Sequence, residues 1–168
     1  MMLLAAHPKT IFVGQSVAYP GNAIYASLKE VSAGKKIEMP VFEETQMGMS
    51  IGLALEGYVP VSIFPRFNFL ILAANQLVNH LDKIPQISQN KLMPKVIIKT
   101  MVGSVHPLDP GIQHKGNFTE AFRHLFDSIV IEDLTEPEMI FAAYKKALER
   151  TDGKSTILIE YGDYYSEK

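Results

Sequence analysis

Two adjacent carboxylates, Glu43 and Glu44, are the side chains of this sequence most clearly suited to proton transfer. They lie in the segment VFEETQMGMSIG, residues 41–52, which also places Gly48 and Gly52 four residues apart. One interpretation is structural, because an acid in the first turn of a helix interacts favourably with the helix dipole. The other is that one carboxylate acts as an acid or base in catalysis. The two glycines fall on one helical face and would let another backbone approach closely.

One histidine is a second candidate for chemistry. The five histidines are scattered and form no H-x-x-x-H pair, so we expect no metal site built from them alone. His114 differs from the others because it lies in a long polar stretch, residues 103–117, that contains Pro107, Pro110 and three glycines. Long irregular stretches in compact domains are often functional, although a loop histidine can also be merely solvated.

The aromatic segment FPRFNF, residues 64–69, follows a strand-like run and precedes a helical pattern. Aromatic residues at the end of a strand can form a wall on which a planar ligand stacks, and they can equally form a corner of the core. Phosphate-binding loops are absent from the sequence, because it contains neither G-x-x-x-x-G-K-[ST] nor G-x-G-x-x-G. A nucleotide-binding module of that kind is therefore disfavoured.

Composition excludes several other classes of protein. The 168 residues suit one compact domain, and the net charge of −2 gives no basic field for nucleic acid. Without cysteine there are no disulfides and no thiolate metal sites. No apolar stretch reaches the roughly 18 residues that span a bilayer, and the start MMLLAAHPK lacks the basic region of a signal peptide. We therefore expect a soluble cytoplasmic domain.

Apolar strand-like runs alternate with helical patterns along the chain. The predicted strands are residues 10–13, 37–42, 58–64, 95–101, 128–131 and 156–160, and the predicted helices are 22–31, 48–55, 68–84, 118–126 and 136–150. This order predicts an α/β fold with a single doubly wound, mostly parallel sheet of about six strands and helices on both faces. In such sheets ligands bind beyond the carboxyl ends of the strands.

The sequence resembles the pyrimidine-binding domain of transketolase-like thiamine-diphosphate enzymes, in particular the N-terminal half of 2-oxoacid dehydrogenase beta subunits. The likeness is carried by a glutamate, two glycines at +5 and +9, a Gly-x-x-Pro, a Phe-x-x-Phe-Asn-Phe segment and a polar helical motif, found without a gap. Here these features fall at Glu43, Gly48, Gly52, residues 57–60, residues 64–69 and residues 75–79, and further likenesses are the Gln113-His114 pair and residues 12–17.

This resemblance implies a role for one of the two carboxylates. In such enzymes a glutamate hydrogen-bonds the cofactor's aminopyrimidine and favours the imino tautomer, which then removes a proton from the thiazolium carbon. The spacing assigns that role to Glu43 and leaves Glu44 as a helix-start acid. Glu44 remains the alternative, because related families vary the glutamate-to-glycine interval by one residue.

The resemblance also implies the other members of the site. Phe69 takes the position that stacks on the pyrimidine, and Phe67, Gln15 and Gln113 are further cofactor-binding candidates. His114 would lie over the thiazolium and handle protons or oxyanions of the substrate.

Three residues depart from the pattern of these enzymes. Arg66 replaces a small hydroxylated residue, and Asn75 replaces an acid. Lys115 follows the Gln-His pair where the resembling subunits have serine, so it could pair with an anionic substrate or be exposed to solvent.

The sequence lacks the Gly-Asp-Gly segment that, by resemblance, holds diphosphate and Mg²⁺. We therefore expect residues 1–168 to form a single pyrimidine-binding domain, with no diphosphate-binding domain and no transketolase C-terminal domain. A second polypeptide would bring the Mg²⁺ and diphosphate site, in an assembly that is a homodimer or heterotetramer, and the chain alone would be inactive. The substrate would be a small keto compound, with a 2-oxoacid favoured over ketol transfer. The alternative is a non-catalytic assembly or regulatory subunit that retains the fold.

Overall fold

The structure is a computed structural model that describes residues 1–106 and 109–166. The described residues form one six-stranded sheet in which every pairing is parallel, with the strand order β2-β1-β3-β4-β6-β5. This arrangement confirms the predicted doubly wound α/β fold. The strands are β1 (Thr10–Gly14), β2 (Lys36–Glu38), β3 (Val59–Ile63), β4 (Ile97–Val102), β5 (Val130–Asp133) and β6 (Thr156–Tyr161).

Helices connect these strands, together with several short 3-10 turns. The α-helices are α1 (Met2–Ala6), α2 (Ala23–Ser27), α3 (Glu43–Leu55), α4 (Phe67–Leu70), α5 (Ile84–Ile87), α6 (Thr119–Arg123) and α7 (Met139–Glu149). The sequence predicted no helix at α1, and α3 begins five residues before its predicted start. The 3-10 turns are Ala33–Lys35, Ile71–Ala73, Ile112–His114 and Gly162–Ser166.

The long helix predicted at residues 68–84 is not a regular α-helix. It consists of α4, the 3-10 turn Ile71–Ala73 and a π-helix, Gln76–Leu81. The backbone stays in the right-handed helical region at Ile71, Ala74 and Asp82. The segment therefore remains helical, while the residue spacing of its backbone hydrogen bonds changes between the α, 3-10 and π parts. The sequence pattern predicts a helix here but does not specify the spacing of its backbone hydrogen bonds.

Two hydrophobic clusters cover the two faces of the sheet, as the sequence predicts. One packs α1, α2 and α7 against one face, and the other packs α3, α4 and α6 against the opposite face. Side chains of successive strand residues alternate between them, so that Ile97 belongs to the first cluster and Ile98 to the second. No described helix is long and apolar enough to cross a membrane.

Helix α3 is attached to the sheet by the side chain of Gln46, which is fully buried. Its amide nitrogen donates to the Ser62 hydroxyl at 3.1 Å, to the Ile63 carbonyl at 3.0 Å and, at 3.4 Å, to the Val13 carbonyl. These acceptors lie near the carboxyl ends of β1 and β3. Gln46 therefore fixes the first turn of α3 against the edge of the sheet where a ligand is expected.

The predicted close approach of another backbone at the two glycines does not occur among residues 1–106 and 109–166. A Cβ atom at Gly52 would meet no described neighbour within 4 Å, and one at Gly48 would meet only the end of the Gln76 side chain, at 3.9 Å. The glycine face of α3 is thus open in the described chain.

A buried carboxylate, Asp82, joins the end of the π-helix to the loop before β5. It accepts hydrogen bonds from the backbone amides of Asp127, Ser128 and Ile129 and from the Ser128 hydroxyl, and it lies 2.9 Å from the Lys83 ammonium. Burial alone would raise the pKa of Asp82, but these hydrogen bonds hold it below its ordinary value.

We predict that Gln46→Met lowers the free energy of unfolding by about 1–3 kcal/mol, because buried acceptors lose their donor. Chemical denaturation measures the change. The matched control is Gln76→Met, whose side chain is only partly buried, and we expect it to cost less than about 0.5 kcal/mol. Equal losses in the two variants would contradict the anchoring role of Gln46.

We predict that Asp82→Asn destabilises the protein by about 2–4 kcal/mol at neutral pH. Because the folded-state pKa is depressed, this stabilisation is complete above the unfolded-state pKa of about 4 and is lost as the pH falls through the folded-state pKa. Denaturation curves at several pH values should therefore show the two proteins converging in acid. Asp127→Asn is the control, because that side chain is exposed and its loss should change little.

Candidate active site

A cavity of about 390 Å³ lies at the carboxyl edge of the sheet, next to the ends of β1, β3 and β4. This is where ligands bind in open parallel sheets, and the volume suits a small molecule. Its wall is formed by Ser16, Asn22, Ala23, Ile24, Pro65, Arg66, Phe69, Met101, Pro110 and His114.

The loop after β1 forms one side of the site and is held in shape by Glu38. The Glu38 carboxylate accepts hydrogen bonds from the backbone amides of Ser16 at 2.6 Å and Ala18 at 2.7 Å. Ser16 has a φ of 63°, a conformation that non-glycine residues rarely adopt, and these bonds hold it there. The neighbouring Gln15 then donates its amide to Glu43 at 3.0 Å.

The structure gives the two adjacent carboxylates different environments. Glu43 is only 4% exposed, and within the described residues the one side-chain hydrogen bond to its carboxylate comes from Gln15. Glu44 is exposed and accepts from the amides of Asn75 at 3.1 Å and Gln76 at 3.4 Å. Because burying a carboxylate is costly unless it is well paired, Glu43 is the one that needs a further partner.

The rings of Phe69 and His114 pack edge to face on the cavity wall, with centroids 5.5 Å apart and an interplanar angle of 79°. The Nδ1 atom of His114 is buried, and no described residue forms a hydrogen bond with it. A buried polar atom without a partner is uncommon in a folded protein and indicates a missing ligand or water.

Gly103 positions the histidine. A Cβ atom at this residue, just after β4, would lie 2.1 Å from the His114 carbonyl oxygen. Only glycine therefore allows the turn Ile112–His114 to pack against the end of β4. The sequence indicated a functional loop here but not this contact.

Of the predicted site residues, Phe69 and His114 line the cavity, whereas Glu43, Gln15, Phe67 and Gln113 do not. Phe67 is fully buried and packs edge-on against the rings of Phe118 and Phe122, with centroid distances of 5.5 and 4.8 Å. It has no face to offer a ligand, so we do not retain it as a site residue. Gln113 is exposed and does not line the cavity.

The loop between β4 and α6 also contains Lys115, for which the sequence allows either pairing with an anionic substrate or exposure to solvent. Lys115 forms an ion pair with Asp109 at 2.7 Å. The hydrogen bonds that Asp109 accepts from Lys115 and from the Gly111 amide hold the pKa of Asp109 below its ordinary value. Lys115 is therefore already paired, while Pro107 of this loop lies outside the described residues.

A second cavity, of about 400 Å³, lies on the sheet face covered by α1 and α7. The charged groups there satisfy one another, because the Glu160 carboxylate is paired with Lys99 and accepts hydrogen bonds from the Tyr144 and Tyr165 hydroxyls. Burial alone would raise the pKa of Glu160, but the Lys99 charge and these bonds lower it. Of these two cavities, only the first contains a ring nitrogen without a described hydrogen-bond partner, the Nδ1 of His114, next to another predicted site residue, Phe69.

We predict that Gly103→Ala displaces the turn Ile112–His114 and costs about 1–3 kcal/mol of stability. NMR resonances of the His114 ring should shift, because its contact with Phe69 changes. Gly34→Ala is the control, since the added methyl group there would meet only the Ser32 hydroxyl, at 3.9 Å. Unchanged His114 resonances in Gly103→Ala would show that the turn does not depend on the glycine.

Comparisons with known proteins agree with this geometry. No protein-family model matches the sequence. The chain is 25% identical to the pyruvate dehydrogenase E1 component subunit beta of Rickettsia conorii over 120 residues, which are 70% of this chain and 36% of that protein. It is 25% identical to the 3-methyl-2-oxobutanoate dehydrogenase subunit beta of Mycobacterium tuberculosis over 123 residues, 71% of this chain and 34% of that protein.

A third relative and a solved structure complete the comparison. The mitochondrial pyruvate dehydrogenase E1 beta subunit of Chaetomium thermophilum is 31% identical over 83 residues, 48% of this chain and 22% of that protein. The chain thus spans 22–36% of the length of these curated relatives. A split-gene transketolase, described as an inactive beta4 tetramer, matches with a TM-score of 0.69 and 17% identity over 95% of this chain and 47% of that one. The chain therefore resembles the pyrimidine-binding domain of transketolase-like thiamine-diphosphate enzymes, as its sequence predicts, and has their α/β fold.

Proposed function

We propose that this chain is the pyrimidine-binding part of a thiamine-diphosphate-dependent enzyme that cleaves or forms carbon–carbon bonds next to a carbonyl. The observation that carries the proposal is the burial of Glu43 at the carboxyl edge of the sheet, hydrogen-bonded to Gln15. The sequence similarity to pyruvate and 3-methyl-2-oxobutanoate dehydrogenase beta subunits supports it.

The residues present suit the aminopyrimidine half of this cofactor. A buried carboxylate matches a ring that must exchange a proton, because a dry pocket keeps water from competing for that proton. Phe69 offers an aromatic ring on the cavity wall for stacking. Gln15 donates a hydrogen bond to one carboxylate oxygen of Glu43. This bond orients the carboxylate and leaves its other oxygen for the ligand.

When bound, thiamine diphosphate supplies a nucleophilic carbon and an electron sink. The tasks left to this chain are positioning and proton transfer. Glu43 would share a proton with a ring nitrogen of the bound pyrimidine, and its burial would keep water away from that contact. The unpartnered Nδ1 of His114 donates a hydrogen bond to, or accepts a proton from, an oxygen of the substrate.

The metal and diphosphate site belongs, in this proposal, to a second polypeptide. Among the described residues no cluster of three or more His, Asp or Glu side chains could hold a metal ion. Val41, Phe42 and Leu72 expose 73, 61 and 62% of their surface, and the glycine face of α3 is open. We propose that these surfaces pair in a homodimer or heterotetramer and that the chain alone is inactive. A 2-oxoacid is the favoured donor, ahead of ketol transfer.

A second function is favoured by one specific observation. One solved structure with a matching fold, a split-gene transketolase, is described as an inactive beta4 tetramer, so a chain of this fold can be present in an assembly without catalysis. In that case the chain would be a structural or regulatory subunit, and the partner polypeptide would be fully active in its absence.

We predict that Glu43→Gln lowers the turnover of the enzyme reconstituted with its partner polypeptide by about 100-fold or more, because proton exchange with the pyrimidine is lost. The control is Glu44→Gln, which removes an exposed carboxylate from the same helix turn and should change turnover by less than about twofold. Steady-state rates and thiamine-diphosphate affinity should be measured for the chain alone and for the mixture. Full activity of Glu43→Gln would contradict the assignment.

A further inference from the structure

We propose that Arg66 forms an anion-binding subsite in the cavity and selects a substrate that carries an anionic group, a phosphate or a carboxylate. The inference rests on the proposed function for the reaction, but the binding of an anion can be tested without it.

Arg66 lies on the cavity wall between the end of β3 and the start of α4, and it is partly buried. Its guanidinium donates one hydrogen bond, to the Pro65 carbonyl at 3.1 Å. Within residues 1–106 and 109–166 no carboxylate lies within 4.0 Å of it. An arginine has five N–H donors in a planar fork that matches carboxylate and phosphate, so most of its binding capacity is unused.

The cavity wall gives an anion a favourable electrostatic environment. Its ten residues include no Asp and no Glu, so nothing on the wall repels negative charge or competes for the guanidinium. Lys115, a cation of the adjoining loop, is already paired with Asp109. Arg66 is thus the charged group that the described wall presents to a ligand.

A second group on the same wall independently indicates a ligand. The buried Nδ1 atom of His114 has no partner among the described residues. Asn22, another polar residue of the wall, is already used, since it caps α2 by accepting from the Tyr25 amide and donating to the Tyr19 carbonyl. A ligand with an oxygen for His114 and an anionic group for Arg66 would satisfy both residues.

The chemistry of arginine narrows the substrate class, because its planar guanidinium forms paired hydrogen bonds with a carboxylate or a phosphate. A substrate that carries one of these groups would use the N–H donors that Arg66 leaves free beyond its bond to the Pro65 carbonyl.

The test is an NMR titration of the ¹⁵N-labelled chain with inorganic phosphate and, separately, with glutarate, at constant ionic strength. Amide shifts of Phe69 and His114 report binding at the cavity wall. We expect Arg66→Gln to weaken binding of the preferred anion about tenfold or more. Arg66→Lys, which keeps the charge but loses the fork, should lie between Arg66→Gln and the wild type. Lys115→Gln is the matched control and should bind like the wild type.

Tighter binding of phosphate assigns the subsite to a phosphorylated substrate, and tighter binding of glutarate assigns it to a carboxylate. Absence of binding by either anion, or wild-type affinity in a folded Arg66→Gln, would overturn the proposal. The outcome is separable from that of Glu43→Gln. If Arg66 governs anion binding while Glu43→Gln keeps full activity, the subsite stands and the proposed reaction falls.

Discussion

The candidate active site depends on the attachment of α3 to the sheet through the amide of Gln46. This buried side chain bonds Ser62 and the carbonyl of Ile63 at the end of β3, and thereby fixes the first turn of the helix. Glu43 lies three residues earlier, on the same face of α3. The polar contact that secures the helix therefore also determines where the buried carboxylate lies, and the apolar contacts of Met47 and Ile51 extend the attachment along the helix.

The two sides of the cavity are positioned by separate contacts at the ends of strands that β3 separates. On one side Glu38 holds the loop that contains Ser16, and Gln15 of that loop reaches Glu43. On the other side Gly103 lets the turn with His114 pack closely against the end of β4. Parallel strands make this possible, because their carboxyl ends, and the loops that follow them, meet at one edge of the sheet.

Much of the fold could be predicted from the sequence, because continuous apolar strands alternating with helical patterns leave few other architectures. The choice of Glu43 over Glu44 as the buried acid agrees with the spacing, whereas its role in catalysis remains a prediction. Which of the two aromatic residues of α4 enters the core could not be predicted. Phe67 and Phe69 are only two positions apart, and Phe67 enters the core because Phe118 and Phe122, some fifty residues later, pack against it. Long-range packing of this kind leaves no local signal in the sequence.

The central claim is that Glu43 contacts the aminopyrimidine ring of thiamine diphosphate. The most direct measurement is a crystal structure of this chain together with its partner polypeptide and the cofactor. We predict a hydrogen bond of about 2.6–3.2 Å between the Glu43 carboxylate and a pyrimidine nitrogen, with the ring beside Phe69. A pyrimidine ring bound to Glu44, or one bound outside the cavity beyond hydrogen-bond distance of Glu43, would contradict the claim.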